Sequence, residues 1–169
     1  RLDKSNKISP MLKKLEITEK TVLSFSLCAR KAYQTIFCDN IAEKKKFTTY
    51  LEKRVRCIEN EFFSKRKNNL PFSSDKLSGK AEIIKNATLN SGDLKVQEVH
   101  LRKREKQSRL GNFHYEPLIF LPANTIRQQD RIMASFIGSV LSEIQCHSPL
   151  KAKIILIDGS VKSIRLSKD

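Results

Sequence analysis

Two segments of the second half of the chain combine apolar residues with alternation of apolar and polar positions over part of their length, and a helical pattern follows them. The segments are Leu94–Leu101 and Phe113–Leu121, and both are predicted to be β-strands. From Arg127 to Gln145 the apolar residues recur instead at steps of three and four. They are Met133, Phe136, Ile137, Val140, Leu141 and Ile144. We therefore expect two strands and then a helix whose apolar stripe packs on the sheet.

The first half of the chain has helical periodicity. One helix is predicted from Val22, with helix-cap residues from Thr18 to Thr21 before it. A longer helix is predicted from Ile41 to about Lys67. The expected buried stripe of the first is Leu23, Leu27, Ala29, Ala32, Tyr33 and Ile36, and that of the second is Phe47, Tyr50, Leu51, Val55, Ile58, Phe62 and Phe63.

Turn residues separate the remaining elements. Residues 68–79 contain Pro and Ser and are predicted to be a linker, after which a third strand begins at Ala81. Near the end, Asp158-Gly159 predicts a two-residue hairpin turn with Gly159 at positive φ. The pattern favours a polar arm over residues 1–14 and one domain over 15–169. Its fold class is α/β, a mixed central sheet flanked by helices.

The chain is strongly basic. Its net charge of +15 and pI near 9.9 favour a polyanionic partner, and nucleic acid fits better than an anionic membrane surface because the cations are clustered. One cluster is predicted to form a basic turn between the two strands, and the other lies in the second predicted helix. They consist of Arg102, Lys103, Arg104, Lys106 and Arg109, and of Lys44, Lys45 and Lys46. A solvated surface without a specific partner is the simpler interpretation of such runs.

Several classes of protein are disfavoured. No apolar run reaches the length of a membrane-spanning helix, and the first residues lack the apolar core of a signal peptide. The four cysteines, Cys28, Cys38, Cys57 and Cys146, form no C-x-x-C pair, so free thiols in a reducing, cytoplasmic compartment are expected. Because the chain begins with Arg, we expect it to be part of a longer protein.

Two segments, 108–120 and 131–145, resemble one bacterial branch of the RecB-like nuclease domains of the PD-(D/E)XK class. The resemblance implies a restriction-endonuclease-like core in which two adjacent strands supply metal-binding acids and a lysine. It places the first acid at Val99 and the acid and lysine of the next strand at Ile119 and Leu121. All three are apolar, so the resemblance implies the fold without catalytic residues, and no metal or other cofactor is expected.

Other elements implied by the resemblance are also missing. The second helix has no histidine, and Met133 and Ile137 stand where the family often has a glutamine-tyrosine pair. Some of these nucleases hold an iron–sulfur cluster with one early and three late cysteines. Only Cys28 and Cys146 match those places, so a cluster is not expected.

A second strand register would instead supply metal-binding acids. A shift of one residue turns Glu98 and Glu116 toward the site, with Glu82 and Asp93 as further oxygen ligands for Mg²⁺ or Mn²⁺. Leu118 then stands where the lysine is needed. Otherwise Glu98 is a solvated strand residue and Glu116 is paired with a nearby arginine.

The histidines give a weaker signal. His100 and His114 lie on the two strands and could approach each other, but two histidines alone are a poor indication of zinc. His147 is expected at the end of the helix.

The expected function is nucleic-acid binding or scaffolding by an inactive nuclease-like domain. DNA is the expected partner, and an RNase H-like region elsewhere in the same longer chain is implied by the resemblance. The alternatives are an active nuclease that uses Glu98 and Glu116, and an interaction module that docks an acidic protein.

Overall fold

The computed structural model describes residues 16–37, 46–65, 69–71, 77 and 81–166. The predicted arm, 1–14, lies outside them, and no helix within them is both long and apolar enough to cross a membrane. They form, in chain order, β1 (Ile17–Thr18), α1 (Glu19–Leu27), α2 (Ala29–Phe37), α3 (Lys46–Ser64), β2 (Asn69–Pro71), β3 (Ile83–Ser91), β4 (Leu94–Arg104), β5 (His114–Phe120), α4 (Gln128–Gln145), β6 (Lys151–Ile155) and β7 (Val161–Arg165).

The described strands make one mixed sheet, which confirms the predicted α/β class. Its order is β2-β3-β4-β5-β6-β7, and β1 pairs with the first residues of β4. The β2–β3, β5–β6 and β1–β4 pairs are parallel, and the others are antiparallel. Parallel neighbours need a crossover, and α4 supplies it between β5 and β6.

The larger core lies between α4 and one face of the sheet. Ile137, Val140 and Leu141 are buried there, and Met133, Phe136 and Ile144 pack against them. The predicted helix and its stripe are therefore confirmed. The same core contains Tyr115, which is fully buried.

The opposite face is partly covered by α3. Phe62 and Phe63 of α3 pack against Leu118, Phe120 and Ile155 of the sheet. The predicted stripe was wrong at Tyr50, which is exposed, and the side chain of Phe47 and residues 41–45 lie outside the described part.

One buried polar contact joins α3 to the sheet. The Nε2 atom of His100 lies 3.3 Å from Oε1 of Glu59, and its Nδ1 atom accepts a hydrogen bond from the backbone N–H of Asn86. Since Nδ1 accepts, Nε2 carries the proton and donates to the carboxylate. His100 is therefore explained by the docking of α3.

The first predicted helix is divided in two. Thr18 caps α1 as expected, because its Oγ1 atom accepts a hydrogen bond from the N–H of Thr21. Cys28 is extended, and its carbonyl accepts hydrogen bonds from the N–H groups of Lys31 and Ala32, which starts α2. The break changes the direction of the stripe, so Leu27 and Tyr33 are exposed and not buried.

Two features of the strands were not predicted from the sequence. The predicted linker contains β2, which pairs in parallel with β3. Asn86 and Glu98 have positive φ, and the β3–β4 register shifts between Ile84 and Leu89. These bulges change the alternation of sides, so that Val96 and Val99, three residues apart, both enter the core.

The β6–β7 hairpin has a three-residue loop, and the predicted two-residue turn was wrong. Leu156 and Ser160 form the closing backbone pair, and the N–H of Gly159 bonds to the carbonyl of Leu156. Gly159 has φ +78°, as predicted. Hydrogen bonds from the side chain and the backbone of Ser160 hold the pKa of Asp158 below its ordinary value, so this contribution to stability is lost as the pH falls through that pKa.

Replacing Gly159 by valine is expected to lower the free energy of unfolding by about 1–2 kcal/mol, because valine is strained at positive φ. No atom lies within 4 Å of the added Cβ, so the effect comes from the backbone alone. Urea denaturation measures it, with Gly159→Asn as the control because asparagine tolerates this conformation. Equal stability of the two variants would contradict a left-handed residue in this loop.

Candidate nucleic-acid interface

The three positions that the resemblance assigns to metal chemistry lie together in the core under α4. Val99, Ile119 and Leu121 are each less than a tenth exposed and belong to one apolar cluster. The bulge at Glu98 turns Val99 to the same face as the other two. The surroundings of all three side chains are therefore apolar. An unpaired carboxylate would be costly at this place.

The structure does not bring the rival pair, Glu98 and Glu116, together. Glu116 is opposite Arg102 on the β4–β5 ladder, whereas Glu98 lies four residues earlier on β4. This separation corresponds to about 13 Å of strand. Glu98 is exposed at the bulge and Glu116 is buried on the α3 side of the sheet. Leu118, where that register needs a lysine, is also buried.

Glu116 acts as a buried counter-ion. Its Oε2 atom accepts a hydrogen bond of 3.1 Å from Nε of Arg104, and its Oε1 atom lies 3.9 Å from Nε2 of His114. Its side chain is 10% exposed, so the pairing with Arg104 is what makes burial of the carboxylate acceptable. This is the arginine pairing that the sequence offered as the alternative for Glu116.

The predicted basic turn is partly strand. Arg102, Lys103 and Arg104 lie within β4, because its ladder with β5 continues to the Arg104–His114 pair. Arg102 and Arg104 therefore point to the α3 side of the sheet. Lys103 points to the other side, with its Nζ 4.9 Å from the ring centre of Phe113.

The other predicted cations lie partly in a loop and partly outside the described side chains. Lys106 and Arg109 lie in the loop between β4 and β5, and Arg109 donates its backbone N–H to the carbonyl of Gln145. Lys44 and Lys45 lie outside the described residues, as does the side chain of Lys46. The predicted contribution of Lys44–Lys46 therefore stays a prediction.

A cleft of about 740 Å³ opens beside these cations. We call it the basic cleft. It is lined by Glu82, Arg102, Lys103, Arg104, Glu105, Lys106, His114, Glu116, His147, Leu150 and Lys151. Five of these side chains are cationic and three are acidic, and one of the acids, Glu116, is already paired with Arg104. Arg109 is absent from this lining, so the cleft takes four of the five predicted cations.

Sequence reasoning missed Lys151, which reaches the cleft from β6. Leu118 of β5 pairs with Lys153 of β6 in parallel register, and extending this register back by two residues places Lys151 beside Glu116. Arg102 and Lys151 thus flank Glu116 from the two neighbouring strands. The alternation of Lys151 and Lys153 was visible in the sequence, but the identity of the neighbouring strand was not.

Three cations of the cleft are available to a ligand. The side chains of Arg102, Lys106 and Lys151 make no ion pair with any residue that the structure describes. They stand on β4, the following loop and β6, so they surround the cleft. A ligand with several negative charges can contact all three at once.

The predicted approach of His100 and His114 is wrong, because they lie at different levels of the ladder and His100 contacts Glu59. The ring of His114 instead contacts that of His147, two residues after α4, in a tilted arrangement with ring centres 4.6 Å apart. In the described part of the chain no three His, Cys, Asp or Glu side chains are placed to hold a metal ion. The described cysteines, Cys28, Cys57 and Cys146, are free and exposed.

Comparison with known proteins adds no assignment. No protein-family model matches the chain, and no curated protein matches it in sequence.

Proposed function

We propose that this domain binds nucleic acid through the basic cleft, as an inactive domain of the RecB-like nuclease type. The observation that carries the proposal is the cleft itself, in which five cations from β4, β6 and the loop between β4 and β5 outnumber three acids, one of which is paired with Arg104. Phosphates are the natural ligands of such an array, and the net charge of +15 favours any polyanion. The order strand, basic loop, strand, helix supports the nuclease-like assignment.

The proposal assigns no catalytic step. The aliphatic cluster of Val99, Ile119 and Leu121 offers no oxygen ligand, and Arg104 occupies one oxygen of Glu116. Mg²⁺ and Mn²⁺ need several converging oxygens. The domain therefore positions nucleic acid, and DNA is the expected polymer.

Fluorescence anisotropy with labelled oligonucleotides at several salt concentrations tests the proposal. The affinity is expected to fall linearly on a log–log plot, with little dependence on base sequence. Salt-independent binding, or no binding, would contradict it. Binding of an acidic protein in place of an oligonucleotide would favour the interaction module.

The variant Glu116→Gln distinguishes the binding proposal from the nuclease alternative, because the two predict opposite changes in affinity. Removing the carboxylate raises the net charge of the cleft by one, so oligonucleotides are expected to bind about two- to threefold more tightly at low salt. Glu98→Gln is the matched control, because Glu98 is exposed and does not line the cleft. A nuclease that uses both acids would instead lose metal-supported binding in both variants.

Titration with Mn²⁺ is expected to show no saturable site from micromolar to low-millimolar metal. The reason is the lack of converging carboxylates among the described residues. Isothermal titration calorimetry measures it. A saturable site that disappears in Glu98→Gln or Glu116→Gln would favour the active nuclease.

A further inference from the structure

A smaller recess adjoins the basic cleft on the α3 side of the sheet. Its volume is about 240 Å³. We call it the apolar recess. It is lined by Phe62, Ile83, Arg102, Leu118, Lys153, Ile155 and Val161. Arg102 lines both the recess and the cleft, so the two are neighbours.

The floor of the apolar recess is aliphatic, and two cations line its side. Ile83, Leu118 and Ile155 are almost fully buried and form its floor. Phe62 of α3 forms one wall, and Arg102 and Lys153 supply positive charge. A phosphate alone does not need an aliphatic floor, and an apolar side chain does not need two cations. A nucleobase attached to phosphates uses both, because its ring packs on carbon while its phosphates contact the cations.

The basic cleft and the apolar recess are lined by cations that neighbour each other on the same strands. Lys151 lines the cleft and Lys153 lines the recess, and they lie two residues apart on one face of β6. Such residues are about 6.6 Å apart along the strand. On β4, Arg102 lines both the cleft and the recess. The cations of the cleft therefore continue into the recess, so a base in the recess and its phosphates in the cleft can be contacted at the same time.

We propose that the apolar recess takes one unstacked base of a single-stranded nucleic acid whose phosphates lie in the basic cleft. This inference rests on the proposed function and specifies the class of nucleic acid, which is a single strand. In a duplex the bases are paired and stacked, so one must be extruded before it can enter. The domain should therefore prefer single strands to duplexes of equal length.

The test compares three probes in anisotropy titrations: a single strand, the same strand with abasic sites, and the corresponding duplex. The single strand is expected to bind about tenfold more tightly than the abasic strand, which has the same charge. It is also expected to bind more tightly than the duplex. Equal affinity for the three would overturn the inference while leaving backbone binding in place. Failure of every probe to bind would overturn the proposed function and this inference with it.

Variants of the recess locate the effect. Phe62→Leu keeps apolar volume against the sheet but removes the aromatic wall, so it is expected to reduce the preference for the intact strand over the abasic strand. Phe25→Leu, the same change at an exposed position on α1, is the matched control. Val161→Glu adds a carboxylate at a half-exposed rim position and should weaken single-strand binding without changing the core. An unchanged intact-to-abasic ratio in Phe62→Leu, with unchanged affinity in Val161→Glu, would exclude the recess.

Discussion

Replacing Gln145 by leucine is expected to lower the free energy of unfolding by about 2–4 kcal/mol. The side chain of Gln145 is fully buried at the end of α4. Its Oε1 atom accepts a hydrogen bond of 2.9 Å from the N–H of Tyr115, and its Nε2 atom donates to the carbonyls of Tyr115 and His147. β6 pairs with β5 only from Leu118 onward. At Tyr115 the side-chain amide of Gln145 therefore makes the hydrogen bonds that a neighbouring strand would make. Leucine fills similar volume but leaves these buried backbone groups without partners.

Chemical denaturation measures this loss, and thermal denaturation should show a decrease of roughly 5–12 °C. Gln128→Leu is the matched control, because Gln128 is exposed at the other end of α4. Gln145→Glu should be at least as destabilising at neutral pH, since it keeps an acceptor for Tyr115 but turns a buried carboxylate oxygen toward two carbonyl oxygens. If Gln145→Leu were as stable as Gln128→Leu, the amide would not be holding β5 to α4.

The elements that the sequence predicted best are those fixed by local periodicity. The α4 stripe was predicted from spacing alone, because a helix that covers a sheet must present one apolar face. β5 was predicted for a similar reason. The bulges at Asn86 and Glu98 were not predictable in this way, since a positive φ at a residue other than glycine depends on the partner strand. The break at Cys28 also has no local signal, because no Pro or Gly marks it.

The site was predictable only in part, for a physical reason. The cations of the β4–β5 connection are contiguous in sequence, so their clustering was visible. Lys151 and His147 join them through the pairing of β6 with β5 and through the end of α4, and these are long-range contacts. Gln145 gave no signal at all, because a single glutamine at a helix end is ordinarily solvated.

The role of Arg104 determines how the cleft must be tested. Arg104 lies in the predicted basic cluster, but it neutralises the buried Glu116. Its removal would leave a buried charge without its partner and would destabilise the fold. Loss of binding in such a variant could not be distinguished from unfolding. The informative positions are therefore the three cations without ion pairs among the described residues, Arg102, Lys106 and Lys151.

Replacing Arg102, Lys106 and Lys151 together by glutamine is expected to weaken single-strand binding about a hundredfold at 0.1 M salt and to flatten the log–log salt slope by roughly 2 units. Each lost phosphate contact removes about 0.7 of a unit, because fewer counterions are released on binding. Anisotropy titrations across a salt series measure both quantities, and denaturation checks that the fold is retained. The matched control replaces Lys20, Lys31 and Arg131, three exposed cations outside the cleft, and has the same net charge. If the two triple variants lost affinity equally, the overall charge of the domain and not the basic cleft would account for binding, since only a localised site makes the position of the three cations matter.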